Sequence, residues 1–382
     1  MQVAPAENLD ARVALVRRDL EAKQLDALLV TSLTNIAYLT GFFASAAALV
    51  MMPDSLIVIG DGRYASVLRA RADAFPTLRP VILQPGASYD EGIVATLAPL
   101  AGLRVGFEAA HISVQRYRSI AGRLAHHDGW SDGLAETDGV VEDLRLTKDT
   151  WEVGRLRDAA ARLSDVAKCI LPKVLAGKTE SAVAAEIEAG LRRAGFERPA
   201  FDTIVAGGPN AALPHARASD RTIESGELVV IDFGGTLDGY CTDLTRTIIA
   251  AEQHARSTGS ASGHRRFLIE QVSEAQHAAF AVLKPGAQPE AVDRAARGWL
   301  EQYQLADAFT HGTGHGLGLE IHEGPRVTRA RADRVEPRLA PGMVMTLEPG
   351  VYFPGWGGVR IEDDVLVTEG GAEWLTDVPR EW

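Results

Sequence analysis

A chain of 382 residues, 46% hydrophobic and 24% charged, is composed like a globular protein and is too long for one ordinary core, so two domains are expected. Its formal net charge of −12 divides into −4 over residues 1–145 and −8 over the rest, and neither part has the basic excess of a nucleic-acid binder. No apolar run reaches membrane length and the first twenty residues contain no signal-peptide core, which makes the cytosol the expected address and leaves membranes out as partners. Two cysteines, Cys169 and Cys241, suit a reducing compartment and exclude a disulfide framework or a four-cysteine zinc site.

From about residue 8 to 140 the pattern alternates. A helical period in "LDARVALVRRDLEAKQL" precedes the apolar run "ALLV". Further strand-like runs, "LIVIG", "PVILQ" and "LRVGFE", are interleaved with helix-like stretches such as "YASVLRARADAF" and "VQRYRSIAGRLAHH". This predicts a small α/β domain. Asp149, followed three residues later by Glu152, forms a capping box that opens a long amphipathic helix, so the domain boundary is expected near residue 145.

The second part begins helically over roughly 150 to 195 and continues into the strand-like runs "ELVVIDFGG" and "TRTIIAA". A polar stretch, "EQHARSTGSASGH", then leads to two helical segments, "RRFLIEQVSEAQHAAFAVL" and "PEAVDRAARGWLEQY". After a glycine-rich segment come "GMVMTLEPGVYF" and "VRIEDDVLVTE". Helices grouped with an antiparallel sheet indicate α+β here.

Within "LVVIDFGGTLDGYCTDLTRTIIA", a turn centred on Leu237 and Asp238 would set Asp232 directly opposite Asp243. Opposed side chains lie about 5 Å apart at their β-carbons, and like charges there repel. The apolar run before Asp232 implies a buried strand, where repulsion costs more. A loop centred on Gly355 brings Glu348 opposite Glu362 by the same reasoning. Between these hairpins lies "HGTGHGLGLEIHEGP", with His311, His315 and His322 among five glycines. Glycine at that density spoils a helix and weakens a strand, so close backbone approach is the expected reason for it.

Four carboxylates and an imidazole suit hard or borderline divalent ions, Mn²⁺, Co²⁺ or Zn²⁺, and would balance two of them. Two cations about 3.5–4 Å apart lower the pKa of a water between them, and that chemistry serves hydrolysis. A phosphate loop is the rival reading of the glycines, but no Lys-Ser or Lys-Thr follows them.

The series "GGPNAALPHA", "VVIDFGG", "DGYCTDLTRT", "HGTGHGLGLEIHE", "GMVMTLEPGVY" and "GGVRIEDDVLV" resembles, in order and spacing, the pita-bread metallopeptidases of the Xaa-Pro branch, namely Xaa-Pro dipeptidase (prolidase) and aminopeptidase P. "NIAYLTGF" and "DGRY" resemble the creatinase-type domain that precedes it. The resemblance implies an α/β creatinase-like domain over 1–145 and an α+β pita-bread domain over 146–382. It further implies two divalent cations, manganese foremost with cobalt or zinc as alternatives, held by Asp232, Asp243, His315, Glu348 and Glu362, with Asp243 and Glu362 bridging both. Glu348 is also the implied proton carrier. His215 and His322 would hold the substrate carbonyl as catalytic donors. His311 would line the pocket or orient its neighbours, and Arg360 would form an ion pair with the ligand carboxylates on the substrate-binding side. Tyr240 and Tyr352 read as packing residues.

A peptide bond to proline nitrogen lacks the amide hydrogen and needs a dedicated rigid pocket. Arg326 stands four residues after His322, where prolidase-like members have an arginine for the substrate's terminal carboxylate; arginine suits that job because its fork matches a carboxylate. The expected activity is therefore hydrolysis of Xaa-Pro dipeptides, short proline-containing substrates, with aminopeptidase P as the alternative and a non-peptidase use of the same scaffold as a remote one. A homodimer is expected from the resemblance.

Overall fold

The computed structural model describes residues 1–130, 133–251, 260–330 and 335–380. Its chain divides into two units, Gln2–Arg145 and Leu146–Trp382, with Met1 grouped with the second. Among the described residues no helix is long and apolar enough to cross a membrane.

The first unit runs α1 (Ala6–Ala22), β1 (Ala27–Val30), α2 (Leu33–Thr40), β2 (Ala48–Met51), β3 (Leu56–Gly60), α3 (Ala65–Ala74), β4 (Leu78–Ile82), α4 (Tyr89–Leu97), β5 (Val105–Glu108), α5 (Val114–Leu124), β6 (Ala135–Thr137) and α6 (Glu142–Arg145). Its six strands form one sheet in the order β4-β3-β2-β1-β5-β6. The pairs β3/β4, β1/β5 and β5/β6 are parallel, while β1/β2 and β2/β3 are antiparallel. Strands β1, β2 and β5 are buried at every residue, which explains why they read as unbroken apolar runs rather than alternating ones.

The second unit opens with α7 (Thr150–Ile170) and α8 (Glu180–Arg193). Asp149 Oδ1 accepts from the backbone of Trp151 and Glu152 at 2.9 Å, and Glu152 Oε2 accepts from Asp149 N at 3.0 Å, so the expected capping box starts α7. Strands β7 (Arg198–Pro199), β8 (Ile204–Gly207), β9 (Leu228–Leu237) and β10 (Tyr240–Ile249) form one antiparallel sheet. The polar connector expected next lies, over 252–259, outside the described residues. Helices α9 (Ser260–Val282) and α10 (Pro289–Glu301) follow, then β11 (Gly314–Gly316), β12 (Glu323–Val327), β13 (Val344–Leu347), β14 (Gly350–Phe353), β15 (Gly357–Arg360), β16 (Asp363–Thr368) and β17 (Gly371–Trp374). These strands are also paired antiparallel throughout, in a five-stranded sheet and the separate β14/β15 hairpin. Apolar residues of α7 and α8 share one core with β8, β9 and β10, and those of α9 and α10 share a second with β13 to β16.

The first hairpin corrects one expectation. Its turn is Asp238–Gly239, both with positive φ (51° and 85°), the Asp-Gly pair that two-residue hairpins favour because both central residues must be left-handed. Asp232 therefore faces Thr245 and Asp243 faces Gly234. The two aspartates are diagonal rather than opposed, but a shift of two residues leaves both on the same face of the sheet. In the second case the expected register holds for the flanking ladders: Gly350 pairs with Arg360 and Leu347 with Asp363, which leaves Glu348 and Glu362 at the junction between them.

Two glycines of the histidine segment let neighbouring backbone approach closely. A β-carbon on Gly314 would lie 2.0 Å from the Thr346 carbonyl, and one on Gly316 would lie 1.8 Å from that of Gly324.

Arg246, on β10, is fully buried and ties this framework together. Its Nε donates to Pro379 O at 2.8 Å, Nη1 to the carbonyls of Thr245 (2.9 Å) and Glu362 (2.7 Å), and Nη2 to Val378 O (2.8 Å) and Asp363 Oδ1 (2.7 Å). All five guanidinium hydrogens are used. Arg246→Met should cost about 3–5 kcal/mol of stability in urea denaturation, because it removes one partner of a buried pair and strips donors from buried carbonyls. A loss below about 1 kcal/mol would contradict this account.

Candidate metal centre

Strand β9 is buried along its whole length, so its Asp232 is held in the interior, 8% exposed. Thr245 lies opposite it on β10 and bridges on its other side to Glu362. Asp232, Thr245 and Glu362 thus form one row, across β9 and β10 and on to the bridge residue that precedes β16. Thr245 Oγ1 donates to Glu362 Oε2 at 2.6 Å. Arg360, two residues before Glu362, reaches back along this row and pairs with Asp232 at 2.6 Å.

Asp243 (4% exposed) and Glu362 (2%) join His315 of β11, and the three offer ligand atoms within 4.8 Å of one another. His315 Nδ1 lies 3.0 Å from Gly316 O and donates to it as Nδ1–H, which leaves Nε2 with its lone pair exposed, 3.7 Å from Glu348 Oε1. Burial holds the ring pKa down to about 4, so the imidazole is neutral, the form that binds metal.

The carboxylates are in electrostatic conflict. Burial, then repulsion from Glu362 and Asp232, pushes the Asp243 carboxyl well above the usual range. Burial, then Glu348 and Asp232, does the same to Glu362, and burial raises Glu348 to about 8. Oδ1 of Asp232 and Oδ1 of Asp243 are both buried without a hydrogen-bond donor among the described residues. Orphaned buried oxygens, a neutral imidazole with one free nitrogen, and a surplus of negative charge are the donor set that hard or borderline divalent cations require. The residues fit such ions.

The other expected residues surround this cluster. His311 is engaged at both ring nitrogens, Nδ1 with Gly312 O and Nε2 with the Tyr352 hydroxyl, each at 2.8 Å. Tyr352, read from sequence as packing, also accepts from Arg360 Nη1 at 2.9 Å and so links His311 to the Arg360–Asp232 pair. Tyr240 is buried, and its hydroxyl donates to Glu152 Oε1 at 3.0 Å. His215 is exposed on the loop after β8, and Arg326 lies opposite His315 across the β11/β12 ladder. Burial, then the charges of Arg326 and His215, lowers the His322 pKa, so these three groups share one neighbourhood. Sequence reasoning misses Thr245, Arg246 and Asp364. Asp364 Oδ2 accepts from the Asp243 backbone at 3.1 Å and from the Thr242 hydroxyl. A polar residue in an apolar strand carries no periodic signal of which neighbour it meets.

The profile of the metallopeptidase family M24 matches residues 154–369, and that of the Creatinase/Prolidase N-terminal domain matches residues 12–147. The chain belongs to metallopeptidase family M24, in the pita-bread group that couples this catalytic unit to a creatinase-type domain. It is 37% identical over 357 residues to the uncharacterized peptidase YqhT of Bacillus subtilis, covering 94% of this chain and 95% of that one. It is 43% identical over 244 residues to the Xaa-Pro dipeptidase of Pyrococcus furiosus, covering 64% of this chain and 67% of that one. The solved structure of an Xaa-Pro dipeptidase from Bacillus anthracis superposes with a TM-score of 0.86 at 31% identity, covering 98% of this chain and 99% of that one.

The raised carboxyl pKa values set a pH dependence. A group whose folded pKa lies above its unfolded value stabilises the fold below the unfolded pKa, and that contribution is lost as pH rises through the folded one. Above about pH 7.5, a unit beyond the ordinary histidine value, His311 and His315 are essentially neutral in both states and add little to the slope. Metal-stripped protein should therefore lose melting temperature between about pH 7.5 and 9, and Glu348→Gln should flatten the decline. Calorimetry of both proteins across that range checks this; a rising melting temperature would contradict it.

Proposed function

We propose that this protein is a dinuclear Xaa-Pro dipeptidase, hydrolysing the peptide bond that precedes proline in Xaa-Pro dipeptides. The observation that carries the reading is the convergence of Asp243, His315 and Glu362 beside two orphaned aspartate oxygens. The names of the P. furiosus and B. anthracis relatives support the substrate class.

In this reading Asp232, Asp243, His315, Glu348 and Glu362 hold two divalent cations, manganese foremost, with Asp243 and Glu362 shared between them. When bound, the pair supplies Lewis acidity that polarises a carbonyl and acidifies water. The remaining work belongs to the chain itself. Glu348, partly exposed beside His315, holds and moves the proton that hydrolysis must carry from water to the departing proline nitrogen. His215 and His322 donate to the carbonyl oxygen as negative charge builds on it. Arg360 fixes Asp232 in place, and His311 fixes Arg360 through Tyr352.

Arg326 is the specificity residue in this proposal: its side chain is exposed on β12, and its charge acts on His322. An arginine there meets the terminal carboxylate of a dipeptide, which a longer peptide does not present at that point. A homodimer with a cytosolic address completes the proposal.

With added Mn²⁺, Co²⁺ or Zn²⁺, Ala-Pro should be hydrolysed much faster than Ala-Pro-Ala or a non-proline dipeptide. Preference for the tripeptide would identify aminopeptidase P instead, and no hydrolysis of any would leave a non-peptidase use of the scaffold. Arg326→Met should lower kcat/KM on Ala-Pro by roughly 10- to 100-fold, the loss of a charge-assisted contact of about 1.5–3 kcal/mol, while sparing tripeptides. Equal losses on both substrates would remove Arg326 from this role. Asp243→Ala or Glu362→Ala should abolish loading of two metals per chain by metal analysis; full occupancy in either variant would contradict the shared-ligand assignment.

A further inference from the structure

Helix α10 holds a buried ion pair that the chemistry above does not use. Asp293 is 1% exposed and sits one turn before Arg297, whose Nε and Nη2 reach its two oxygens at 2.7 and 3.1 Å. A buried carboxylate is costly unless it is paired and hydrogen-bonded, and an i,i+4 pair within one helix is ordinarily a surface feature worth a few tenths of a kcal/mol. Here both partners instead face inward and are saturated by a segment of different origin.

That segment is residues 309–313, which lead into the metal-facing strand β11. Asp293 Oδ1 accepts from Thr313 N at 3.2 Å and from Thr313 Oγ1 at 2.9 Å. Arg297 Nη1 donates to Phe309 O at 2.8 Å, Nη2 donates to His311 O, and the guanidinium lies over the Phe309 ring, 4.0 Å from its centroid. The pair thus grips the backbone at three of five consecutive residues. Thr313, itself fully buried, turns its carbonyl to the N–H of Glu348 at 2.7 Å. His315 stands two residues further on, with its Nε2 3.7 Å from Glu348 Oε1. One hydrogen-bonded path therefore runs from Asp293 through Thr313 to Glu348, and the chain itself runs from the gripped segment to His315.

We infer that Asp293, with Arg297 as its brace, is a positioning residue for the metal centre: it sets the spacing of His315 and Glu348 by fixing the segment from which one extends and on which the other is hung. This rests on the ligand reading proposed above. Without the grip, the 309–313 segment would keep the Thr313–Glu348 bond and the His311–Tyr352 contact but lose its ties to α10, and an imidazole and a carboxylate contributed by separate segments would lose that common reference. Partners outside the ligand set that orient ligands in this way are typically worth 10- to 100-fold in metal affinity.

The test uses the full-length, metal-stripped protein titrated with cobalt(II), read by calorimetry and by the visible absorption of the bound ion, which reports ligand geometry independently of activity. Asp293→Asn keeps an oxygen for Thr313 but turns an amide toward Arg297. It should weaken cobalt binding about 10- to 100-fold, change the absorption band and lower the melting temperature. The double variant D293N/R297M removes the stranded guanidinium and should recover most of the melting temperature while cobalt affinity and spectrum stay altered, since Phe309 and His311 are still released. Recovery of both affinity and spectrum in the double variant, or unchanged cobalt binding in Asp293→Asn, would overturn the positioning role and leave the ligand assignment standing. If the unaltered protein itself binds no cobalt, the ligand assignment fails first and the inference falls with it.

Discussion

Negative charge confined in the interior is the constraint on which this structure turns. Asp232, Asp243 and Glu362 are each less than a tenth exposed, and Glu348 stands beside them. Arg360 answers one of these carboxylates directly, at Asp232, while burial first, and mutual repulsion after it, holds Asp243 and Glu362 far above their usual range. A fold tolerates such an arrangement when something else stabilises it: protons, or cations that bind there. Reducing the conflict by apolar replacement would be easy in stability terms and would remove the carboxylates that the proposed cations need.

The surrounding structure is organised to hold these groups in place against their repulsion. Asp232, Thr245 and Glu362 lie in one row across β9, β10 and the bridge before β16, and Arg246 secures the carbonyls of two of them from behind while anchoring Val378 and Pro379. A similar device holds the exposed His215. Glu180, at the first turn of α8 and fully buried, accepts from Gly207 N (2.8 Å), Asn210 Nδ2 (3.0 Å) and Ser219 Oγ (2.6 Å), and so closes the loop that carries the histidine. Buried polar networks of this kind are rigid when every member is satisfied. The residues of the proposed centre thereby sit on strands and on braced loops, where small displacements are resisted.

Much of this was legible in the residues. Alternating runs marked the N-terminal α/β unit, and the motif series carried the family, because "VVIDFGG", "HGTGHGLG" and "VRIEDD" each set a ligand-type residue beside the glycines or apolar strand that frame it. The hairpin carrying Asp232 and Asp243 was foreseen, but its register was off by two residues: the turn was centred one residue early, on Leu237 and Asp238 rather than on Asp238 and Gly239. Even so, the period of two in a strand keeps both carboxylates on one face. Glu180, Arg246, Asp293 and Tyr352 were not legible as supports. Most of their partners are distant in sequence, and nothing in local periodicity announces a buried hydrogen bond. Helix α4 of the first unit is absent from the sequence reading for a simpler reason, since its nine residues are too few to establish a helical period.

The central claim is that protons and divalent cations compete for the same buried carboxylates. Calorimetric titration of the metal-stripped protein with Mn²⁺ near neutral pH, repeated in two buffers of different ionisation enthalpy, measures it directly as protons released per cation bound. The account expects saturable binding of two cations per chain accompanied by net proton release, greater at pH 6.5 than at pH 8.5, because Glu348 with a pKa of about 8 and its raised neighbours must give up protons to bind. Binding with no proton release at either pH, or no saturable binding at all, would contradict it.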